Sequence, residues 1–237
     1  MRPILFTLLL SLLPGLATSA ESDATRLQRL APDADPRVLS LALAARDCAA
    51  ASLGQAPSPR LAVIDYSRPS IEPRLWVFDL ANNSLLFREV VAHGQGTGEN
   101  LAHAFSNRDG SHQSSLGLFR TSDTYVGHNG YSLRMQGLEP GINDAAMARA
   151  IVMHGAAYVN VQTAQKQGRL GRSWGCPALR PEVAAAVIDS LKNGQMIFAY
   201  YPDSNWLAHS PFLECHNKRA TVANADAGTN ARSLAAE

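Results

Sequence analysis

The sequence of 237 residues lacks several features that would place a protein in a functional class directly. It has no basic excess, because 21 Lys and Arg residues face 20 Asp and Glu residues, and this balance argues against a nucleic-acid-binding surface. It has no internal repeat, and after the N-terminal segment no apolar run approaches the ~20 residues of a membrane-spanning helix. Hydrophobic residues make up 46% of the chain, which is typical of a globular protein with one sizeable core.

Cysteine is also scarce, with three residues at Cys48, Cys176 and Cys215. An odd count in an exported protein leaves one thiol over. The simplest pairing is a disulfide between Cys48 and Cys215, which would tie an N-terminal helix to the end of the chain and leave Cys176 free. The alternative is that Cys48 is a plain buried thiol on an apolar helix face.

The N-terminal segment contains the one strongly apolar run. A basic start at 1–3 is followed by an apolar stretch at 4–16 and small residues up to Ala20. This pattern predicts a secretory signal peptide over 1–20. A membrane anchor is disfavoured because Pro14 and Gly15 break the run. Since no cysteine follows the cleavage region, a lipid anchor is not predicted.

The next segment, 21–59, is predicted to hold a helix and a linker. The helix spans 35–53, where Asp35 is an N-cap, Pro36 suits the first helical position and Gly54 ends the helix. A second helix is predicted from Pro181. The tail, 218–237, is poor in aromatic residues and is predicted to be disordered.

The region 60–217 is predicted to be the main domain, mostly β with flanking helices. Short runs rich in β-branched and aromatic residues predict its strands. The predicted strand-bearing runs are 61–67, 74–80, 85–94, 114–127, 128–144, 151–153 and 195–202. Asn82-Asn83 predicts a hairpin turn, and 144–153 is predicted to begin as a short helix. The glycine-rich stretch 94–100 lacks the lysine of a phosphate-binding loop and indicates turn geometry.

The free cysteine, Cys176, has the surroundings of a nucleophile. Gly175 lets the backbone approach a reacting group, and backbone N–H groups at such a turn can form an oxyanion hole. The helix predicted from Pro181 places positive potential nearby, which favours a thiolate. A lone cysteine would ordinarily be read as a buried thiol, so the hypothesis needs a partner base.

His154 is the best candidate for that base among the seven histidines. It ends an apolar run that predicts a strand, and Gly155 follows it. It lies 22 residues before Cys176, which leaves room for one connecting loop back to the site. Together the two residues predict thiol catalysis, although each alone would not.

The stretches around His154 and Cys176 together resemble one known family. The sequence HGAAYV at 154–159 followed by GRLGRSWGCPAL at 168–179 resembles the L,D-transpeptidase catalytic-domain family of bacterial cell-wall enzymes. The stretches at 75–98, 114–119 and 130–144 are also similar to that family. The resemblance covers roughly 60–203. It implies an L,D-transpeptidase-like β-sandwich preceded by an N-terminal helix, and a periplasmic location.

The resemblance implies a mechanism on peptidoglycan stem peptides. Cys176 would attack the carbonyl before the terminal D-alanine, which would leave with a proton from His154. The N–H groups of Cys176 and Gly175 would hold the oxyanion, the Gly155 carbonyl would orient the imidazole, and Ser173 would hydrogen-bond within the cysteine loop. An amine attacking the thioester would give a 3→3 cross-link, and water would give a carboxypeptidase. No metal or organic cofactor is needed, and acylation by a carbapenem is expected.

The sequence departs from the family motif at two positions. Trp174 stands where the motif has histidine, and Ala178 stands where it has arginine. The substrate-binding roles of those two residues therefore do not carry over. Arg172 and Arg180 are candidates to replace them.

The sequence leaves two other functions open and disfavours a third. The same thiol chemistry suits a periplasmic cysteine peptidase or amidase, and the altered motif suits a non-catalytic wall-binding protein. A zinc peptidase is disfavoured, because several histidines lie in loops without acidic partners at ligand spacing. These are His93, His103, His112 and His128.

Overall fold

The computed structural model describes residues 22–215. The helices are α1 Asp23–Leu30, α2 Pro36–Ser52, α3 Val161–Gln167, α4 Pro181–Leu191 and α5 Ser204–His209. The strands are β1 Arg60–Asp65, β2 Leu75–Asp79, β3 Ser84–Glu89, β4 Gly117–Gly127, β5 Gly130–Gly137, β6 Val152–Gly155, β7 Ala178–Leu179 and β8 Met196–Tyr200. The signal peptide predicted at 1–20 and the tail predicted at 218–237 lie outside the described residues.

All eight strands belong to one sheet, in the order β3-β2-β1-β8-β4-β5-β6-β7. The pairs β1–β8 and β6–β7 are parallel and the others are antiparallel. A bridge between Ala92 and Ala178 joins the segment after β3 to β7, so the sheet curves back and nearly closes. The predicted mostly β fold with flanking helices is confirmed.

The predicted helix over 35–53 is confirmed as α2. The Asp35 carboxylate accepts a hydrogen bond from the backbone N–H of Arg37 at 2.7 Å, and Pro36 opens the helix. Helices α1, α3 and α5 were not predicted from sequence. Each is short and begins at a polar cap, Ser22 for α1, Asn160 for α3 and Asp203 for α5.

The prediction of a short helix at the start of 144–153 is wrong. Residues 140–150 form successive turns, and β6 begins at Val152. The reason lies upstream, in Glu139 and Asn143. The Glu139 carboxylate accepts from the Leu118 N–H at 2.7 Å and the Trp206 indole at 2.9 Å, while the Asn143 amide donates to the Leu116 carbonyl at 2.8 Å. These buried bonds fix the chain to β4 and α5.

The core is built from side chains of the sheet and of the helices that pack on it. Its largest fully buried side chains include Trp76, Phe78, Phe119, Phe198 and Trp206. Helix α2 packs on β1 and β8, and α4 packs on β6. None of the helices within residues 22–215 combines the length and apolar character that crossing a membrane requires.

Cys48 on α2 and Cys215 form a disulfide across a sequence separation of 167 residues, with their Cα atoms 6.2 Å apart. Cys176 is the free thiol of the described chain. The disulfide attaches α2 to the segment that follows α5, which makes the two ends of the described chain one unit.

We expect loss of this disulfide to lower the free energy of unfolding by about 2–5 kcal/mol, because the cross-link restricts the unfolded chain over a long loop. Urea unfolding of the wild type and of the double variant Cys48→Ala/Cys215→Ala measures the difference. Reducing agent should lower the wild-type midpoint and leave that of the double variant unchanged. Equal midpoints for the oxidised wild type and the double variant would contradict the expectation.

Candidate active site

A cleft of about 290 Å³ contains both residues of the predicted catalytic pair. Its lining comes from the β4–β5 turn, the end of β6 and the loop before β7. The lining residues are His128, Asn129, His154, Tyr158, Arg172, Ser173, Trp174 and Cys176. Sequence reasoning did not place His128 or Asn129 here, since their position depends on how a hairpin tip folds over a distant loop. Tyr158 was not predicted at the site either, and it lies four residues after His154, in the segment that follows β6.

Strand pairing brings His154 and Cys176 together. In the parallel pair β6–β7, His154 lies opposite Ala178. The backbone N–H of His154 donates to the Pro177 carbonyl at 3.4 Å, one residue beyond the cysteine. The cysteine loop therefore runs alongside the strand end that carries the imidazole.

The His154 side chain is held as a neutral base. Its ring is buried, and Nδ1 lies 3.0 Å from the Gly155 carbonyl oxygen. Because a carbonyl only accepts, Nδ1 carries the proton and Nε2 has a free lone pair. Burial lowers the pKa of His154 below its ordinary value, with the Gly155 carbonyl acting in the opposite direction. The family resemblance implies an orienting role for the Gly155 carbonyl, and this contact supports that prediction.

The Cys176 sulfur rests beside β6. Sγ accepts from the Val152 N–H at 3.4 Å and lies 3.7 Å from the Ala150 carbonyl oxygen. Within residues 22–215 no hydrogen bond joins Sγ to the His154 ring. Burial raises the pKa of the Cys176 thiol, and the Val152 N–H and the charge of Arg149 partly offset that effect. The resting pair is therefore a neutral thiol next to a neutral imidazole.

Ser173 holds the cysteine loop in shape. Its hydroxyl donates to the Cys176 carbonyl at 2.6 Å and accepts from the Gly175 N–H at 3.1 Å. The Gly175 N–H is therefore used within the loop in this structure, and its oxyanion role stays a prediction. The Cys176 N–H has no hydrogen-bond partner among the described residues and remains available to an oxyanion.

Gly175 is needed for geometry instead. Its φ of 125° lies outside the range that side chains favour. A Cβ there would lie 2.8 Å from the Gln113 carbonyl oxygen and 2.9 Å from a side-chain carbon of Ile151. The Ser114 hydroxyl also donates to the Gly175 carbonyl at 2.9 Å. The loop is thus clamped between 113–114 and the start of β6.

A buried polar pair supports the other side of the loop. The Ser173 N–H donates to the His93 carbonyl at 3.0 Å. The His93 ring accepts from the fully buried Arg74 guanidinium at 2.8 Å, and its Nε2 donates to the Gly98 carbonyl at 3.2 Å. Burial and the adjacent charge of Arg74 lower the pKa of His93 to about 3. His93 is therefore a neutral structural residue.

Trp174 lies at the cleft rim, where its side chain is 72% exposed. Its ring stacks on the ring of His112, with centroids 4.8 Å apart and planes 6° apart. The residue that replaces the motif histidine therefore offers one open aromatic face next to the cleft. The sequence predicts His112 only as a loop histidine, because its contact with Trp174 joins residues 62 positions apart and leaves no local pattern.

The two arginines considered for substrate binding lie in different places. Arg172 lines the cleft, and its guanidinium donates to Glu99 at 2.7 Å and to the Gly98 carbonyl at 3.0 Å. Arg180 lies outside this cleft and forms a two-pronged ion pair with Glu89 at 2.8 and 2.9 Å. Arg180 therefore ties the start of α4 to β3, and its substrate-binding role stays a prediction.

Among the described residues, 22–215, no group of three or more His, Cys, Asp or Glu side chains is arranged to hold a metal ion. The residues of the cleft itself are suited to proton transfer and to nucleophilic attack by sulfur.

A family model, described as the L,D-transpeptidase catalytic domain, matches residues 30–200. The match runs from the end of α1 to the end of β8 and includes both His154 and Cys176. The chain belongs to the L,D-transpeptidase catalytic domain family. No match was found among curated proteins.

Solved structures of similar shape include an L,D-transpeptidase from Mycobacterium smegmatis, with 14% identity over 62% of this chain and 61% of that one and a TM-score of 0.39. The LD transpeptidase LdtMt1 in complex with imipenem has 15% identity over 61% and 60%, with a TM-score of 0.38. The helical cell shape determining protein Pgp2 from Campylobacter jejuni has 8% identity over 62% and 48%, with a TM-score of 0.42. The chain spans about three fifths of the length of the first two.

Buried His93 makes the folded protein sensitive to acid. The unfolded pKa of a histidine is about 6.5 and that of folded His93 is about 3, so the unfolded chain binds an extra proton between these values. Stability is therefore complete above pH 6.5 and falls as the pH drops. We expect His93 to account for roughly 3 kcal/mol of loss between pH 7 and pH 4.

Urea unfolding at a series of pH values measures this loss. The variant His93→Gln should flatten the dependence, because glutamine does not titrate in this range. An equally steep acid loss in folded His93→Gln would contradict the assignment.

Proposed function

We propose that the protein is an exported cysteine-dependent L,D-transpeptidase that acts on the stem peptides of peptidoglycan. Family membership supports the reaction class. The observation that carries the proposal is the cleft shared by the free thiol of Cys176 and the neutral imidazole of His154. The predicted signal peptide supports a periplasmic location.

The first half-reaction forms a thioester. The thiol proton moves to Nε2 of His154 as Sγ of Cys176 bonds to the carbonyl carbon that precedes the terminal D-alanine. The Cys176 N–H stabilises the oxyanion, since it belongs to the nucleophile itself and has no hydrogen-bond partner among the described residues. The tetrahedral intermediate collapses, and D-alanine leaves with the proton from the imidazolium.

The second half-reaction resolves the thioester. A side-chain amine of a second stem attacks the carbonyl, loses a proton to His154 and forms the 3→3 cross-link. The sulfur leaves and recovers a proton from the imidazolium. Water in place of the amine gives a tripeptide, which is the L,D-carboxypeptidase alternative.

The resting position of the sulfur adds one requirement. Sγ contacts Val152 and Ala150 and has no hydrogen bond to the His154 ring, so proton transfer requires the sulfur or the ring to move closer to the other. The Ser173 hydroxyl bonds to backbone atoms of the loop and not to Sγ. The shape of the oxyanion site is therefore set before the sulfur moves.

Product analysis tests the reaction. Purified protein incubated with disaccharide tetrapeptides should release D-alanine and give cross-linked dimers by mass spectrometry, and Cys176→Ala should give neither. The exposed variant Lys166→Ala on α3 is the matched control and should behave as wild type. Tripeptides without dimers would favour the hydrolase, and an unchanged substrate would favour the non-catalytic wall-binding protein.

A carbapenem separates an active thiol from an inert one. LdtMt1 was solved in complex with imipenem, and we propose that imipenem also acylates this chain at Cys176. Intact-mass measurement should show one adduct on the wild type and none on Cys176→Ala. Addition of the same mass to Cys176→Ala would contradict the assignment of the nucleophile.

A further inference from the structure

Arg149 lies in the turn that precedes β6 and is half-buried. Its guanidinium donates to the carbonyl oxygens of Ser106 and Gln113, each at 2.7 Å, and to the hydroxyls of Ser115 and Ser111 at 2.7 and 3.2 Å. All four acceptors are neutral. Among residues 22–215 no carboxylate lies within ion-pair distance of Arg149, so its charge is not cancelled by a direct partner.

The Gln113 carbonyl connects this guanidinium to the cysteine loop. The oxygen that accepts from Arg149 is also the atom that would lie 2.8 Å from a Cβ on Gly175. Arg149 therefore fixes the wall against which the Gly175–Cys176 turn packs. Loss of the guanidinium would release this carbonyl and the loop around it.

The same segment wraps the sulfur. Ala150 follows Arg149, has a φ of 52° and places its carbonyl 3.7 Å from Sγ, and Val152 donates its N–H to Sγ at 3.4 Å. The charge of Arg149 acts on Cys176 through space and lowers the pKa of the thiol, against the larger upward effect of burial. Geometry and charge thus point to the same residue.

Other titratable groups face the thiol. His154, His128, Tyr158 and Arg172 share its cleft, and Tyr66 interacts with it through space. Arg172 donates to Glu99, which offsets its charge. His154 is buried and neutral. Among the described residues, Arg149 is therefore a cation near Cys176 with no carboxylate within ion-pair distance, while the charge of Asp109 acts on it through space.

We propose that Arg149 is a positioning residue that holds the Gly175–Cys176 turn through Gln113 and supplies the positive charge that favours the Cys176 thiolate. The proposal rests on the proposed function only in taking this thiolate as the nucleophile. It assigns no contact between Arg149 and substrate.

The pH dependence of alkylation of Cys176 by iodoacetamide tests the proposal, with intact mass confirming one modified site. We expect Arg149→Met to raise the pH midpoint by roughly one unit, because removing a nearby opposite charge disfavours the thiolate. Arg149→Lys should stay within about half a unit of wild type, because it keeps the charge. The matched control Arg88→Met removes an exposed arginine of β3 whose charge is paired with Asp33, and it should leave the midpoint unchanged.

A folded Arg149→Met with the wild-type midpoint overturns the proposal. If that variant does not fold, Arg149→Gln keeps amide donors for the loop and carries the same expected rise. If neither neutral variant folds, Arg149→Lys decides. A clearly raised pH midpoint of alkylation in that variant, which keeps the positive charge, overturns the proposed role of the charge. Alkylation needs no wall peptide, so failure of peptide turnover would contradict the proposed function and leave this result standing.

Discussion

The parallel pairing of β6 with β7 is the interaction on which the site depends. It sets His154 opposite Ala178, with the His154 N–H on the Pro177 carbonyl, and so places the imidazole beside the cysteine loop. Each strand is very short, and neither would persist alone. The bridge from Ala92 to Ala178 and the packing of α4 on β6 hold the pair in place. The remaining strands of the sheet support β6 and β7 and so fix the positions of His154 and the cysteine loop.

The second constraint is electrostatic. Burial disfavours charge on both members of the pair, raising the pKa of Cys176 and lowering that of His154. Such a pair keeps the thiol protonated until a carbonyl is present to accept the sulfur. Negative charge then develops on the carbonyl oxygen next to the Cys176 N–H. Arg149 supplies positive potential near the sulfur. Proton transfer and bond formation are thereby coupled in the proposed mechanism.

Local patterns in the sequence predicted the features that depend on local physics. The caps of α2, the Asn82-Asn83 turn, where Asn83 has a φ of 51°, and the strand ending at His154 all follow from neighbouring residues. The bond from the Gly175 N–H to Ser173 is local, but no pattern in the sequence predicts the conformation of this loop. The ion pair of Arg180 with Glu89 could not be predicted because it joins residues 91 positions apart. Arg149 was missed for the same reason, since its contacts span 34 to 43 residues.

The measurement that tests the account most directly is the rate at which imipenem acylates Cys176 in the wild type and in His154→Ala, followed by intact mass over time. If His154 takes the thiol proton, its removal slows acylation by about 10²–10⁴-fold at neutral pH, which is the usual contribution of a general base. Thermal unfolding verifies that the variant is folded. Acylation of a folded His154→Ala at the wild-type rate would contradict the pairing of this imidazole with this sulfur.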